Sequence, residues 1–190
     1  MYDGLPVVKL LRAVIEALEN LGVRHALIGA GAMATCGVSR STGDIDLLTT
    51  DSVVFEESSW NGLRGSGASI DIRRGDYDDP LAGVIRISSE RELPVDLVVG
   101  KFQWQQEIVE RASRLVVGPA DDSVELAVAR ASDLILLKLY AGGLQDLWDI
   151  RQLLANDPSL EAEVQTLVGQ LPEESLRLWR GVLAETSGKA

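Results

Sequence analysis

The stretch Asp44–Thr50, DIDLLTT, restricts this chain most, because it sets two carboxylates into a run that is otherwise apolar and strand-forming. Side chains alternate faces along a strand, so Asp44 and Asp46 project to one side about 7 Å apart, with Ile45 and Leu47 on the other. The fold must give this strand one face against a core and one on which two like charges are tolerated. Such charges repel unless a cation lies between them, and a hard, oxygen-seeking divalent ion, Mg²⁺ or Mn²⁺, is the natural partner. A third carboxylate from a neighbouring strand would complete a two-ion site, which stabilises both attacking and leaving oxygens in phosphoryl or nucleotidyl transfer. Asp96 in PVDLVV is the first candidate, since it interrupts another apolar strand where an unpartnered charge is costly. Asp71 in SIDIR is its rival, sharing a face with Ser69 and Arg73 as an ordinary solvated strand would.

Upstream, residues 27–37 read LIGAGAMATCG, and Gly29-x-Gly31-x-x-Ala34 matches a dinucleotide-binding fingerprint. The residues downstream argue against that reading, which NAD(P) binding independent of Mg²⁺ would restore. Its acid belongs at the far end of the next strand, whereas Asp44 and Asp46 stand at the start of theirs, and the chain lacks repeated βαβ units.

The elements follow from periodicity and turn chemistry. An amphipathic helix is expected from Pro6 to Asn20, a strand over Arg24–Ile28, and a brief alanine-rich helix from Gly29 to Cys36. Strands are expected at Ala68–Arg73, Val84–Ser88, Pro94–Val99 and Leu115–Val117, with short helices over Ser58–Leu63 and Lys101–Arg111. From Ser123 the pattern is helical: Val124–Ala141, Leu144–Ala155, Leu160–Leu171 and Glu174–Glu185, broken at Gly142-Gly143, Asp157-Pro158 and Pro172. The expected class is α+β: a mixed sheet flanked by helices over residues 1–118, then a helical region over 119–190 packing on it.

At this point the chain resembles the polymerase β-type nucleotidyltransferases: Gly29-Ala30 ending a first strand, thirteen residues, then Asp44-Ile45-Asp46 on a second. The longer string GVSRSTGDIDLL, with Arg40 and Thr42 ahead of Asp44 and Asp46, looks like the AbiE toxin-like branch. So does the later Lys138-x-x-Ala141 followed by Asp146 and Asp149. The resemblance implies the minimal nucleotidyltransferase fold, an NTP substrate, metal binding and catalysis by Asp44, Asp46 and Asp96, and nucleotide contacts from Gly29, Ala30, Arg40, Thr42, Lys138 and Asp149. One departure stands out. The family places Gly or Ser where this chain has Ala30, which keeps the backbone amide and lacks a hydroxyl. A non-catalytic nucleotide-binding or antitoxin-like module of the same fold is the competing reading.

Composition narrows the rest. The single Cys36 and single His25 leave chemistry to carboxylates, hydroxyls, Lys and Arg, and exclude an internal disulfide or a Cys-based zinc cage. A net charge of −11 argues against broad electrostatic binding of nucleic acid, while Arg64, Arg73, Arg74, Arg86 and Arg91 allow a local cationic pocket. The four tryptophans are too scattered for a stacking platform and are read as core or subunit interface. No apolar run approaches ~20 residues, so no membrane partner and a cytoplasmic location are expected. The acceptor, an RNA end such as tRNA, a protein or a small molecule, is not encoded in any motif, nor is the choice between a homodimer and a cognate antitoxin-type partner.

Overall fold

The computed structural model describes residues 9–90, 92–117 and 123–187. Two compact units divide them: the first takes the described parts of Met1–Thr35 and Ser39–Ala129, the second Cys36–Val38 with Arg130–Ala190.

In the first unit, α1 (Lys9–Asn20) buries Leu10, Leu11, Val14, Ile15 and Leu18, the stripe its apolar spacing demands. Pro6, its expected start, lies outside the described residues. β1 is only Ala26–Leu27, shorter than expected, because Gly29 already opens α2 (Gly29–Thr35). Then come β2 (Ile45–Thr49), α3 (Asn61–Gly65), β3 (Ser69–Arg74), β4 (Gly83–Ser88), β5 (Val95–Val99), α4 (Gln103–Arg111), β6 (Ser113–Val117) and β7 (Val124–Val128). The strands form one mixed sheet in the order β3-β4-β5-β2-β1-β7-β6, with β2–β5 and β1–β7 parallel and the other pairs antiparallel.

One face of β2, β4 and β5 carries Ile45, Leu47, Ile85, Ile87, Val95 and Leu97, all at most 1% exposed. Each such side chain contributes about 1.5–3 kcal/mol by leaving water, which fixes the register. A slip by one residue would turn the carboxylates inward. Strict alternation then sets Asp46, Asp96, Arg86 and Asp71 on the opposite face.

One expected element is corrected. Val124–Val128 is a strand rather than the first turns of a helix, and the helix begins at Ala131. Helix propensity along VELAVARASD is overridden because Val124, Leu126 and Val128 alternate inward while the backbone pairs with β6 on one side and β1 on the other.

The second unit contains α5 (Ala131–Ala141), α6 (Leu144–Asn156), α7 (Leu160–Leu167) and α8 (Glu173–Ser187) around Leu134, Ile135, Leu139, Ile150, Leu153, Val164 and Trp179. Its breaks fall at the expected glycines and prolines. Gly142, at φ +70°, ends α5 in the left-handed region with its N–H on the Lys138 carbonyl at 2.9 Å. Of the tryptophans, Trp60, Trp104 and Trp179 are buried and Trp148 is 44% exposed. No described helix is long and apolar enough to cross a membrane.

Candidate active site

The carboxylates are assembled by strand register. β2 and β5 run parallel with Asp46 directly beside Asp96, while Asp44 stands just before β2. On the far side of β5, Arg86 of β4 is the register partner of Asp96, and Asp71 of β3 is the register partner of Arg86. One row across four strands therefore reads Asp46, Asp96, Arg86, Asp71. Asp71 stands two strands away from Asp96, so the sheet brings Asp96 to Asp46 and does not bring Asp71 there.

Each member is held differently. Thr42 Oγ1 donates to Asp44 Oδ1 at 3.0 Å and to the Asp44 carbonyl at 3.1 Å, orienting that carboxylate from the loop before β2. Asp46 presses on Gly29: a Cβ there would collide with Asp46 Oδ2, and Gly29 has φ +61°. Glycine is thus required twice over, for space and for backbone conformation. Ala30 follows it, buried in the first turn of α2. Arg40 is exposed, its guanidinium donating to the Ser41 carbonyl at 3.4 Å.

Asp96 is the most constrained. Its side chain is 15% exposed, its Oδ2 accepts from Arg86 Nη1 at 2.7 Å, and its Oδ1 is buried with no hydrogen-bond partner. Burial raises its carboxyl above the usual range. The Arg86 guanidinium opposes that shift, Asp44 reinforces it, and Arg73 opposes it more weakly. A cavity of about 360 Å³ adjoins it, lined by Arg73, Arg74, Asp79, Arg86 and Asp96 among others. Arg73 is paired with Asp71 at 2.6 Å, and Arg74 lies over the Phe55 ring. Of the other two arginines singled out in the sequence, Arg64 pairs with Glu57, and Arg91 lies outside the described residues.

Whether this set suits a divalent cation can be judged from its donors. The chemistry fits: hard oxygens only, from Asp44, Asp46 and Asp96, one of them buried and unsatisfied. Among the described residues, however, no three His, Cys, Asp or Glu side chains converge closely enough to hold an ion as they stand. Arg86 pairs with Asp96 Oδ2 from the β4 side, opposite Asp46, and leaves Oδ1 without a partner. Sequence reading missed this role for Arg86, although the alternation in VIRIS and its hairpin spacing to PVDLVV carry the signal.

Lys138 and Asp149 belong to the second unit. Lys138 is 7% exposed and donates to Asp146 Oδ1 at 3.2 Å and Asp149 Oδ2 at 2.5 Å; Gln145 donates to Asp149 Oδ1 at 3.1 Å. This ion cluster joins α5 to α6 across the Gly142-Gly143 turn.

No family model and no curated protein matches the chain. Solved structures do. The crystal structure of ANT(2″)-Ia in complex with adenylyl-2″-tobramycin aligns with 93% of this chain and 97% of its own, at TM-score 0.50 and 14% identity. A nucleotidyltransferase-like antigenic protein from Paracoccidioides brasiliensis aligns with 87% and 88%, at 0.48 and 17%. The lincomycin-bound lincosamide antibiotic adenylyltransferase LnuA aligns with 80% and 98%, at 0.46 and 14%. At such identities the likeness is one of fold, and the fold is the α+β nucleotidyltransferase fold with a C-terminal helical portion.

Proposed function

We propose that this chain is a metal-dependent nucleotidyltransferase that moves a nucleoside monophosphate from an NTP to a hydroxyl-bearing acceptor. The observation that carries the proposal is the in-register pair Asp46–Asp96, with Asp44 on the same face and Gly29 pressed against the Asp46 carboxylate. A dedicated glycine beneath one carboxylate and a buried, unsatisfied oxygen on another are costly for a merely structural strand face. Within the motif, the string from Arg40 to Asp46 favours the AbiE toxin-like branch, and an antitoxin-type partner belongs to that narrower reading.

In this proposal the amides of Gly29 and Ala30 approach the triphosphate, Arg40 contacts it from the loop, and Thr42 keeps Asp44 turned to the site. Asp44, Asp46 and Asp96 would hold Mg²⁺ or Mn²⁺, which supplies charge neutralisation at the phosphate and acceptor oxygens. The acceptor enters through the cavity beside Asp96, whose carboxylate orients its hydroxyl and takes the proton. The hydroxyl oxygen bonds to the α-phosphorus, the bond from that phosphorus to the bridging oxygen breaks, and pyrophosphate leaves. Lys138 and Asp149 enter this reading as a helix-joining ion cluster.

The test is incubation with each α-³²P-labelled NTP and Mg²⁺ or Mn²⁺ over tRNA, protein and aminoglycoside acceptors. Label should move to one acceptor class with release of pyrophosphate, and Asp46→Asn should abolish transfer while leaving the circular dichroism and melting curve close to wild type. Full activity in Asp46→Asn would refute the site. NTP binding without product would support the non-catalytic module, which the Arg86 contact to Asp96 favours.

A further inference from the structure

We propose that β3 is a self-pairing edge, through which two copies of this chain join their sheets about a two-fold axis at Ile72. Among the described strands, β3 stands at one end of the sheet and pairs with β4 alone. Its outer side therefore presents backbone N–H and C=O groups that a further strand can take up. Ile70 and Ile72 share the core-facing side with their register partners Ile87 and Ile85, yet both are only half-buried. An added strand would cover them. Edges that must stay single are commonly blunted by charge. β3 carries charge of both signs, placed symmetrically: Asp71 and Arg73 flank Ile72 on the opposite, exposed side. Arg74 is turned instead to the ring and carbonyl of Phe55.

That symmetry selects one register. Opposed residues of an antiparallel pair share a face, so a two-fold axis normal to the joined sheet must pass through a residue. Centred on Asp71 it opposes two aspartates, and centred on Arg73 two arginines; like charges so placed repel. Centred on Ile70 it sets Asp71 against Ser69. Centred on Ile72 it sets Asp71 of each copy against Arg73 of the other, with the two Ile72 side chains side by side. Within one chain Arg73 holds Asp71 Oδ2 through Nε at 2.8 Å and Nη2 at 2.6 Å. Asp71 Oδ1 and Arg73 Nη1 are then the atoms that meet across the axis. The row Asp96, Arg86, Asp71 continues into Arg73 of the second copy, so its charges alternate in sign over the joint. Pairing of β3 is independent of whether the carboxylates act on a nucleotide.

The test is analytical sedimentation of the full chain over the micromolar range, with circular dichroism on each variant. Wild type should pass from monomer to dimer as concentration rises. Arg73→Asp opposes carboxylates on both sides of the axis and should weaken association roughly tenfold. Arg73→Lys, which keeps the charge, should stay within about threefold of wild type. Dichroism matching wild type in both variants separates lost pairing from lost fold. Register is read by oxidative cross-linking in a Cys36→Ser background. Ile72→Cys should cross-link to itself, since opposed Cα atoms lie about 4.5–5.5 Å apart, within disulfide reach. Ile70→Cys should not, because in this register the two copies of that residue are offset by four positions, about 13 Å. A wild type that stays monomeric throughout would overturn the self-pairing edge. So would a dimer that Arg73→Asp leaves intact, or one in which Ile72→Cys cross-links no more readily than Ile70→Cys.

Discussion

Gly29 carries more of the site than its size suggests. Its φ of +61° costs a non-glycine residue about 1–2 kcal/mol, and a Cβ would overlap the Asp46 carboxylate. Gly29→Ala should lower unfolding free energy by about 2–4 kcal/mol in a urea titration, backbone strain and overpacking acting together. It should also weaken Mn²⁺ binding, because the carboxylate must turn away to make room. A stable Gly29→Ala protein with unchanged Mn²⁺ affinity would show that Asp46 has freedom the packing denies it. Gly31 makes the contrast. That residue completed the dinucleotide fingerprint in the sequence, yet it sits inside α2 with no positive φ, so the resemblance to that fingerprint was accidental.

At the scale of elements, the sheet was legible where alternation was strict. VDLVV and VIRIS bury one face each, and IDLLT does so over residues 45–47 before Leu48 and Thr49 are both buried; the register followed once those faces had to share a core. VELAV was missed because five alternating residues run into an alanine-rich helix start, and only pairing with β1 and β6 decides between the two. The same limit hid the cross-strand row. Asp46 and Asp96 could be suspected one at a time, but their adjacency is a property of strand order, which no local pattern encodes. For Lys138 the sequence posed the right question, a buried lysine among apolar residues, and the structure places two carboxylates around one ammonium. Removing that ammonium takes from the fully buried Asp149 the charge that Lys138 sets against it at 2.5 Å. Lys138→Met should therefore cost about 3–5 kcal/mol, read as a drop in the melting temperature of the α5–α6 pair. Asp149→Leu added to it should recover part of the loss, since the buried carboxylate that faced the ammonium goes with it. No recovery in the double variant would mean that the stability resides in helix packing rather than in charge.

Over the whole molecule, a net charge of −11 with a single histidine makes the response to pH near neutrality simple. Histidine is the side-chain type whose ordinary titration falls in that range. His25 is pulled below its ordinary 6.5 chiefly by burial; the Val23 carbonyl at its Nδ1 and Glu19 push the other way, and Arg114 adds to the lowering. The folded chain therefore takes up this proton less readily than the unfolded chain does. Where the unfolded state binds more protons, stability rises with pH, so the folded state should be at full strength above about pH 7.5 and lose stability as pH falls through 6.5. The loss should level off once the folded-state imidazole is also charged. Urea titrations of wild type and His25→Gln at pH 7.5, 6.5 and 5.5 isolate the contribution, because the carboxylate background is common to both. The difference between the two proteins should narrow, or turn in favour of His25→Gln, on going from pH 7.5 to 5.5. A difference that stayed constant across that range would mean the imidazole titrates alike in both states and is not desolvated by the fold.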